Sequence, residues 1–430
     1  MIKKQHIIIL LFLYLIVQLI YVFFFHLPFY SDSLNYFNFA ETAISNHSFY
    51  PDPPSLYSDW IQAPVYINYL ILLLKIYNHQ FIILFCNIGL NFLQLLLIFK
   101  ITEKLFNEQT AFISIVLYIF YLNNIGAILN NLTELMFGVF ILSGFYLVLF
   151  SEKKYIHLLA GFIIGLAIGV RPTGYALLLS FVLVLFFITQ RKEWFTKIIF
   201  VILGLFIYII PMGLLSKSNI GYFVFSSQHG SYNLMFSAND RATGIYDDYF
   251  LKHDSILKTK KTFVEKEDYF RKCSTTWIKK NPIKWLKLMP RKIYSMFISD
   301  DWCVSQLLHT NEWNFNLYIK SYKDAALRTE FQTHSLLFRI AFIFLNILHQ
   351  IYYLILLSIL IYLPFYYFRK KQFNYSKILI LSFIFIVISM TVIASVGSIR
   401  YKYNIFIMAF ILISDFINQK IQRYYRNSGF

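Results

Sequence analysis

The sequence has few charged residues: Asp, Glu, Lys and Arg make up only 14% of its 430 residues, against about 25% in soluble globular proteins. Hydrophobic residues make up 58%, and many are gathered into runs of about 20 residues, the length that an α-helix needs to cross a bilayer. Segments of about ten residues with alternating polarity, which form transmembrane barrels, are absent. The composition therefore predicts an all-α polytopic membrane protein.

Cysteine is also scarce, and several catalytic motifs are missing. Three cysteines exclude a disulfide framework and a four-cysteine zinc site, although Cys273 and Cys303 can pair if both lie outside the cytoplasm. There is no Walker A loop, no G-x-S-x-G, no H-E-x-x-H and no C-x-x-C. The ten histidines lack ligand spacing, and no D-x-D pair lies near Asp32. We therefore expect no cofactor and no obligate metal.

The net charge of +17 is explained best by membrane topology. Basic loops of membrane proteins lie in the cytoplasm, where they also contact anionic lipid, so we expect the lipid bilayer as a partner and no nucleic acid. Four basic clusters lie in short connections or in the tail, at 153–154, 191–192, 369–371 and 420–426. With a cytoplasmic N-terminus, all four are cytoplasmic only if 28–100 crosses the membrane once. We therefore interpret 64–78 as a juxtamembrane helix at the outer surface.

This topology predicts about ten transmembrane helices with both termini inside. The first half of the run at 336–368 is expected to be partly interfacial. The predicted parts of the chain are a transmembrane core at 1–215 with a first outer loop at 28–79, a small extracytoplasmic helical domain at 216–335, and C-terminal transmembrane helices at 336–430. The predicted spans are 7–27, 80–100, 111–129, 132–150, 156–170, 173–189, 197–215, 336–368, 378–396 and 403–417.

Two further patterns predict local structure. Between Tyr269 and Phe297, bases alternate with apolar residues, which predicts one or two amphipathic helices broken at Pro282 and Pro290. This stretch is either a solvated helical region or a phosphate-binding surface, and both interpretations stay open. The glycines at 161, 165 and 169 repeat every four residues, a spacing that lets helices approach closely.

Four ionisable residues lie where the topology reaches the outer face of the membrane. Asp32 follows the first span and Glu134 opens the fourth, while Arg171 and Arg400 lie between spans five and six and between spans nine and ten. Each one alone has an ordinary explanation, such as solvation, a helix N-terminus or snorkelling. Two carboxylates and two guanidiniums at one membrane level together predict a functional site.

The chemistry that suits this set is glycosyl transfer from a lipid phosphate. The outer face has no nucleotides, so the donor must cross the membrane, as a sugar on polyprenyl phosphate does. A phosphate leaves without being protonated, so one carboxylate is enough to take the proton of the acceptor hydroxyl. We predict Asp32 as this base, and Arg171 or Arg400 as the bidentate ligand of the departing phosphate.

At these residues the sequence resembles the GT-C glycosyltransferases, in particular the protein O-mannosyltransferases and the lipid A aminoarabinose transferases. The resemblance implies a GT-C-like helical bundle, an outward-facing site, a polyprenyl-linked donor, inversion at the sugar, and Asp32 as the acidic side chain that acts in catalysis. It also implies that Glu134, Arg171, Arg400 and the adjoining Tyr401 bind substrate. The similar stretches are "YSDSLNYFNFAETAISNHSFY", "APVYINYLILLLKIY", "NLTELMFGVFIL", "GLAIGVRPTGYALLL", "SYNLMFSANDRATGIY" and "SIRYKYNIFIMAF".

The sequence departs from the family at one point. Members often carry a base just before the proline of the juxtamembrane helix, whereas here Gln62 and Ala63 precede Pro64. Which residue binds the lipid phosphate is therefore not fixed by the sequence. Lys75, Arg291 and Lys292 are candidates besides the two arginines.

The sequence thus predicts an enzyme of the cell (inner or cytoplasmic) membrane that transfers a hexose or pentose to an envelope glycan, lipid or protein. Two alternatives remain. One is a polysaccharide polymerase or ligase that uses lipid-linked oligosaccharides. The other is a transporter or flippase of lipid-linked sugars, although such folds often carry inverted repeats that this sequence lacks.

Overall fold

Most of the long hydrophobic runs become single α-helices in the computed structural model, which describes residues 4–187, 191–310 and 313–427. Within these ranges there are nineteen α-helices, a few short 3-10 helices and no strand. The helices are α1 Lys4–Phe24, α2 Ser31–Ser45, α3 Pro64–Ile76, α4 Gln80–Leu105, α5 Glu108–Phe120, α6 Leu122–Ile128, α7 Glu134–Phe150, α8 Lys154–Val170, α9 Tyr175–Val184, α10 Arg191–Ile220, α11 Gly230–Ser237, α12 Tyr249–His253, α13 Phe263–Lys280, α14 Pro282–Phe297, α15 Phe315–Ser321, α16 Ala325–Thr333, α17 Leu336–Arg369, α18 Tyr375–Ala394 and α19 Tyr403–Asn427.

Six helical segments are long and apolar enough to cross a membrane: α1, α4, α10, α17, α18 and the segment Ile399–Arg426 that contains α19. The bent pair α5 and α6 makes a seventh if it is one span. Three further predicted spans correspond to the shorter apolar helices α7, α8 and Pro172–Val184, which have 10–17 residues. The fold is therefore that of a polytopic helical membrane protein, while the arrangement of ten spans and the three-part division of the chain stay predictions.

The predicted span 111–129 is wrong as a single helix, because it breaks at Tyr121 and bends by 60°. At the break, the side-chain amide of Asn124 donates to the carbonyl of Tyr118 at 2.7 Å. Beyond it, a Cβ on Gly126 would lie 2.3 Å from the carbonyl oxygen of Cys303. The Asn124 amide therefore satisfies a carbonyl group that the break frees from the helical hydrogen-bond pattern, and Gly126 lets the backbone contact a distant loop.

The run at 336–368 forms one unbroken helix, α17, in which the buried His349 pairs with Asp300 at 3.2 Å. The interfacial position of its first half stays a prediction. Two other details differ from the sequence-based expectations. The amphipathic stretch breaks only at Pro282, which suits the first turn of α14, whereas Pro290 lies inside that helix. The possible disulfide is absent, because Cys273 and Cys303 are free thiols.

The glycine repeat packs α8 against α10. A Cβ on Gly161 would lie 1.9 Å from the carbonyl oxygen of Val201, and a Cβ on Gly204 would lie 1.9 Å from that of Leu158. A Cβ on Gly165 would instead lie 2.8 Å from the Cβ of Tyr208. These helices approach so closely because each glycine lacks a side chain where it meets the other helix.

Replacing Gly161 with Ala should therefore destabilise the protein by about 1–3 kcal/mol, because α8 and α10 must move apart. Gly89 of α4 is the matched control, because a Cβ there meets nothing within 4 Å. Thermal unfolding in detergent measures both variants. Equal melting temperatures for Gly161→Ala and Gly89→Ala would contradict this account of the packing.

Candidate active site

Arg400 lies between the two carboxylates that the sequence singled out. Its Nη1 donates to Asp32 Oδ2 at 2.6 Å, and its Nη2 donates to Glu134 Oε2 at 3.2 Å. Its Nε donates to the other carboxylate oxygen of Glu134. One guanidinium from the α18–α19 connection therefore joins the first turn of α2 to the first turn of α7.

Arg171 completes the group from the end of α8. Its Nη1 donates to Glu134 Oε1 at 2.9 Å, so Glu134 bonds to both guanidiniums. Only 1% of the Glu134 side chain is exposed, and a carboxylate is tolerated at such a position when it is paired and hydrogen-bonded. The structure thus brings together all four ionisable residues, which lie far apart in the sequence.

Asp32 differs from Glu134 in its access to solvent. Its side chain is 56% exposed, and it lies in the first turn of α2, where the helix dipole favours a negative charge. The preceding Ser31 has a positive φ of 49°, a backbone strain of the kind that is found at functional sites. Asp32 is therefore the carboxylate of the group that a molecule outside the protein can reach.

Two aromatic rings flank the guanidiniums. The ring of Tyr401 lies 5.8 Å from the guanidinium carbon of Arg171, and its hydroxyl accepts from Ser395 Oγ at 3.3 Å. The ring of Trp302 lies 6.0 Å from the guanidinium carbon of Arg400. Tyr401 was named from the sequence, whereas Trp302 was not, because nothing in its flanking residues links it to the end of α18.

Buried side chains hydrogen-bond to the first turn of α2, and the sequence did not predict them. Asn131 Nδ2 donates to the carbonyl of Ser33 at 2.8 Å, and its Oδ1 accepts from Tyr66 Oη at 2.8 Å. One turn after Asp32, burial raises the pKa of Tyr36 to about 12. Tyr36 is therefore a neutral phenol near pH 7. The only signal for Asn131 was its place three residues before Glu134.

The segment 216–335 contributes His229 to the surroundings of Asp32 and Arg400, whose charges both act on its ring. The imidazole packs on Trp60 with 4.7 Å between ring centroids. Burial lowers the pKa of His229 to about 4, so the ring is neutral near pH 7. It therefore adds a hydrogen-bonding and stacking surface to the site without adding charge.

The other candidate phosphate ligands are not bonded to Asp32, Glu134, Arg171 or Arg400. Lys75 is exposed and lies over the ring of Phe49 at 5.3 Å, and Arg291 is also exposed. Lys292 is buried and donates to the carbonyl of Val392 at 2.8 Å, and burial lowers its pKa to about 8. We call Asp32, Glu134, Arg171 and Arg400 the four central residues, or the central group. In the part of the chain that the structure describes, none of the three other candidates has a hydrogen bond or ion pair with them.

The described residues include no group of three or more His, Cys, Asp or Glu side chains that could hold a metal ion. The four central residues could not make such a group either, because two of them are guanidiniums. The expectation that the protein needs no cofactor and no metal stays a prediction.

A comparison with protein families finds a match to part of the chain. Residues 62–216 match the family model of the dolichyl-phosphate-mannose-protein mannosyltransferases, which is part of the GT-C superfamily. The matched range includes Glu134 and Arg171, but not Asp32 or Arg400. No curated protein and no solved structure matches the chain. The 62–216 segment of this polytopic membrane protein is therefore similar to GT-C membrane glycosyltransferases, and this match supports a membrane glycosyltransferase that uses a polyprenyl-phosphate sugar donor.

Proposed function

We propose that this protein transfers one sugar from a polyprenyl-phosphate donor to an acceptor of the cell envelope, at the extracytoplasmic face of the cytoplasmic membrane. The acceptor is a hydroxyl group of an envelope glycan, lipid or protein. Asp32 is the catalytic base, and the sugar is transferred with inversion at its anomeric carbon. Glu134, Arg171, Arg400 and Tyr401 form the rest of the site.

The observation that carries this proposal is the pairing of the exposed carboxylate of Asp32 with Arg400, at 2.6 Å. Arg400 is in turn bonded to the buried Glu134, so its position is set from the protein side. A carboxylate that is both oriented and accessible meets the geometric requirement of a general base. A glycosidase would need a second carboxyl group as an acid at the scissile bond, but Glu134 is buried between two guanidiniums.

The reaction balances without another reagent. The acceptor oxygen attacks the anomeric carbon as its proton passes to Asp32. The bond between the anomeric carbon and the phosphate oxygen breaks, and its electron pair leaves with the lipid phosphate. Attack on the side opposite the leaving group inverts the anomeric centre. The proton on Asp32 then passes to solvent, to which this side chain is 56% exposed.

Arg171 is the better candidate for the phosphate ligand. All three nitrogens of Arg400 are already engaged by Asp32 and Glu134. Arg171 bonds to Glu134 through Nη1 alone, and its Nε and Nη2 have no other bond within the described residues. Two donors on one edge of a guanidinium suit the two oxygens of a phosphate, and 16% of this side chain is exposed.

The extracytoplasmic side is supported by the distribution of charge. The turn that carries Arg400 contacts the segment 216–335, for example through Gly397 N, which donates to the carbonyl of Gly244 at 3.0 Å. The clusters 153–154, 191–192 and 369–371 lie in the connections at the other ends of the helices. Basic connections favour the cytoplasm, so the site belongs at the opposite surface.

The direct test uses the purified protein in lipid nanodiscs with short synthetic polyprenyl-phosphate sugars that carry a radiolabel. Extracts of cell-envelope glycan, lipid and protein serve as acceptors. We expect the label to become covalently attached to one acceptor class, with release of polyprenyl phosphate. Labelled lipid that crosses a liposome membrane without any covalent product would instead favour a transporter, and transfer of preformed oligosaccharides only would favour a polymerase or ligase.

Replacing Arg171 with Gln should raise the KM for the donor about 10- to 100-fold, because a hydrogen bond to a charged group contributes about 1.5–3 kcal/mol. Initial rates at varied donor concentration measure this change. Arg271→Gln is the control, because Arg271 is 66% exposed and, among the described residues, forms an ion pair only with the exposed Asp268. An unchanged donor KM in Arg171→Gln would show that another group binds the phosphate.

A further inference from the structure

A second cluster of charged side chains lies beside the turn that carries Arg400, and the proposed mechanism does not use it. Lys402 Nζ pairs with Asp300 Oδ1 at 3.1 Å, and the side chains are 0% and 1% exposed. The same ammonium donates to the carbonyl of Met296 at 3.1 Å and to that of Ser299. These three oxygen partners belong to the end of α14 and the residues that follow it, and the ammonium also lies over the ring of Tyr353 of α17 at 4.9 Å.

Asp300 is itself anchored to a different helix. Its Oδ2 pairs with His349 Nε2 of α17 at 3.2 Å, and its backbone carbonyl lies 3.4 Å from the amide of Asn123. Burial by itself would raise the pKa of Asp300, but Lys402 and His349 outweigh burial and hold the pKa below its usual range. The ionised form of the Asp300 carboxyl group is therefore favoured beside the Lys402 ammonium.

The residues just before this turn also contact the segment 216–335. Gly397 N donates to the carbonyl of Gly244 at 3.0 Å, and Ser295 Oγ donates to the carbonyl of Gly397 at 3.2 Å. A Cβ on Gly397 would lie 2.3 Å from the carbonyl oxygen of Lys292. Backbone and side chains of the segment 216–335 therefore surround the connection between α18 and α19.

Arg400 and Lys402 lie in the same single turn of 3-10 helix, Ile399–Lys402. Arg400 extends to Asp32 and Glu134, while Lys402 is fixed by Asp300. A buried ion pair adds little stability over an apolar pair of similar volume, because both charges lose their hydration. Stability alone therefore does not account for this pair, and its position next to Arg400 suggests a different role.

We propose that Asp300 and Lys402 form a positioning pair, which fixes the Ile399–Lys402 turn so that the guanidinium of Arg400 reaches Asp32 and Glu134 together. Neither residue touches the reacting atoms. The effect of this pair on catalysis rests on the proposed function, since it passes through Asp32. Its effect on the position of Arg400 does not depend on which reaction the protein catalyses.

The chain provides a matched control at the other end of α18 and α19. Lys377 and Asp415 form another buried ion pair, at 3.0 Å with side chains 7% and 8% exposed. This pair joins the same two helices but has no bond to the turn that carries Arg400. Loss of either pair should destabilise the fold, but only loss of the first should displace Arg400.

The experiment compares Lys402→Met, the double variant D300N/K402M and the control double variant K377M/D415N, all as full-length protein in nanodiscs. The double variants leave no unpaired buried charge, so they separate position from stability. Cryo-electron microscopy measures the distance from the guanidinium of Arg400 to the carboxyl groups of Asp32 and Glu134. We expect Arg400 to lose contact with Asp32 in D300N/K402M and to keep it in K377M/D415N.

Kinetics on the folded fraction from size-exclusion chromatography give the second measurement. Because a displacement of about 1 Å can lower a rate about 100-fold, we expect kcat of D300N/K402M to fall by that factor with little change in acceptor KM. K402R, which keeps the charge, should recover part of the loss. The control double variant should keep the kcat of the unmodified protein.

The proposal is overturned if Arg400 keeps both contacts in D300N/K402M, or if the two double variants lose kcat equally. If D300N/K402M does not fold, the same distance measured in Asp300→Asn decides, and an unmoved Arg400 overturns the proposal. If the protein transfers no sugar at all, the proposed function fails. The displacement of Arg400 still tests the positioning role in that case.

Discussion

Asp32→Asn is expected to lower the rate of sugar transfer by about 10²- to 10⁴-fold, the contribution that is typical of a general base. The amide of Asn has nearly the shape of the carboxylate, and its oxygen can still accept a hydrogen bond from Arg400. It cannot take a proton from the acceptor hydroxyl. Because the side chain is 56% exposed, the variant should fold and insert into the membrane as the unmodified protein does.

The matched control is Asp59→Asn, in the same predicted outer loop. Asp59 is 64% exposed and pairs with Lys266 at 2.7 Å, so it resembles Asp32 in exposure and pairing but has no bond to the central group. Radiolabelled transfer by equal amounts of purified protein compares the two variants. Full activity in Asp32→Asn, or an equal loss in both, would remove the proposed mechanism.

Glu134→Gln is expected to reduce the free energy of unfolding by about 3–5 kcal/mol, because it removes the charge that balances two partly buried guanidiniums. The side chain is 1% exposed and bonds to both Arg171 and Arg400. A neutral amide leaves the two positive charges close together without this counter-charge. Transfer should fall as well, since Gln has one acceptor oxygen where the carboxylate has two, and its NH2 group faces a guanidinium donor.

Glu152→Gln is the control for charge loss at a helix end. Glu152 pairs with Lys197 at 2.9 Å but is 78% exposed, and such pairs contribute about 0–1 kcal/mol. Thermal unfolding of both variants in the same detergent measures the difference. A Glu134→Gln protein as stable as Glu152→Gln would show that the two guanidiniums do not depend on this carboxylate.

The two central acids therefore have different expected roles, although the sequence presents both as single carboxylates near the end of a hydrophobic run. Asp32 is open to solvent and has one guanidinium partner, so its variant should lose chemistry and keep stability. Glu134 is buried and has two guanidinium partners, so its variant should lose both activity and stability. Exposure and the number of partners, which depend on tertiary contacts, make this distinction.

Much of the arrangement could be predicted because membrane insertion constrains the chain strongly. The composition indicated an all-helical polytopic fold, which is confirmed. The basic clusters predicted which connections share a membrane surface, and so placed Asp32, Glu134, Arg171 and Arg400 at one level. The structure has these residues in contact, while their catalytic and binding roles stay predictions.

Contacts between distant segments could not be predicted in this way. The break at Tyr121 depends on Asn124 and on a loop near Cys303, and the hydropathy of 111–129 gives no sign of it. The same is true of the pair formed by Asp300 and Lys402, because nothing near either residue in the sequence indicates that the other is its partner.

Hydropathy was enough to establish the helical membrane fold, and the placement of basic residues predicted that the ionic residues share one membrane level. These follow from transfer free energies, which act on each segment separately. The pairing of the charges was decided only in the folded protein: Arg400 with both acids, Arg171 with Glu134 alone, Lys402 with Asp300. Ion pairing depends on ångström-scale distances and on burial, and both arise only when the helices pack together.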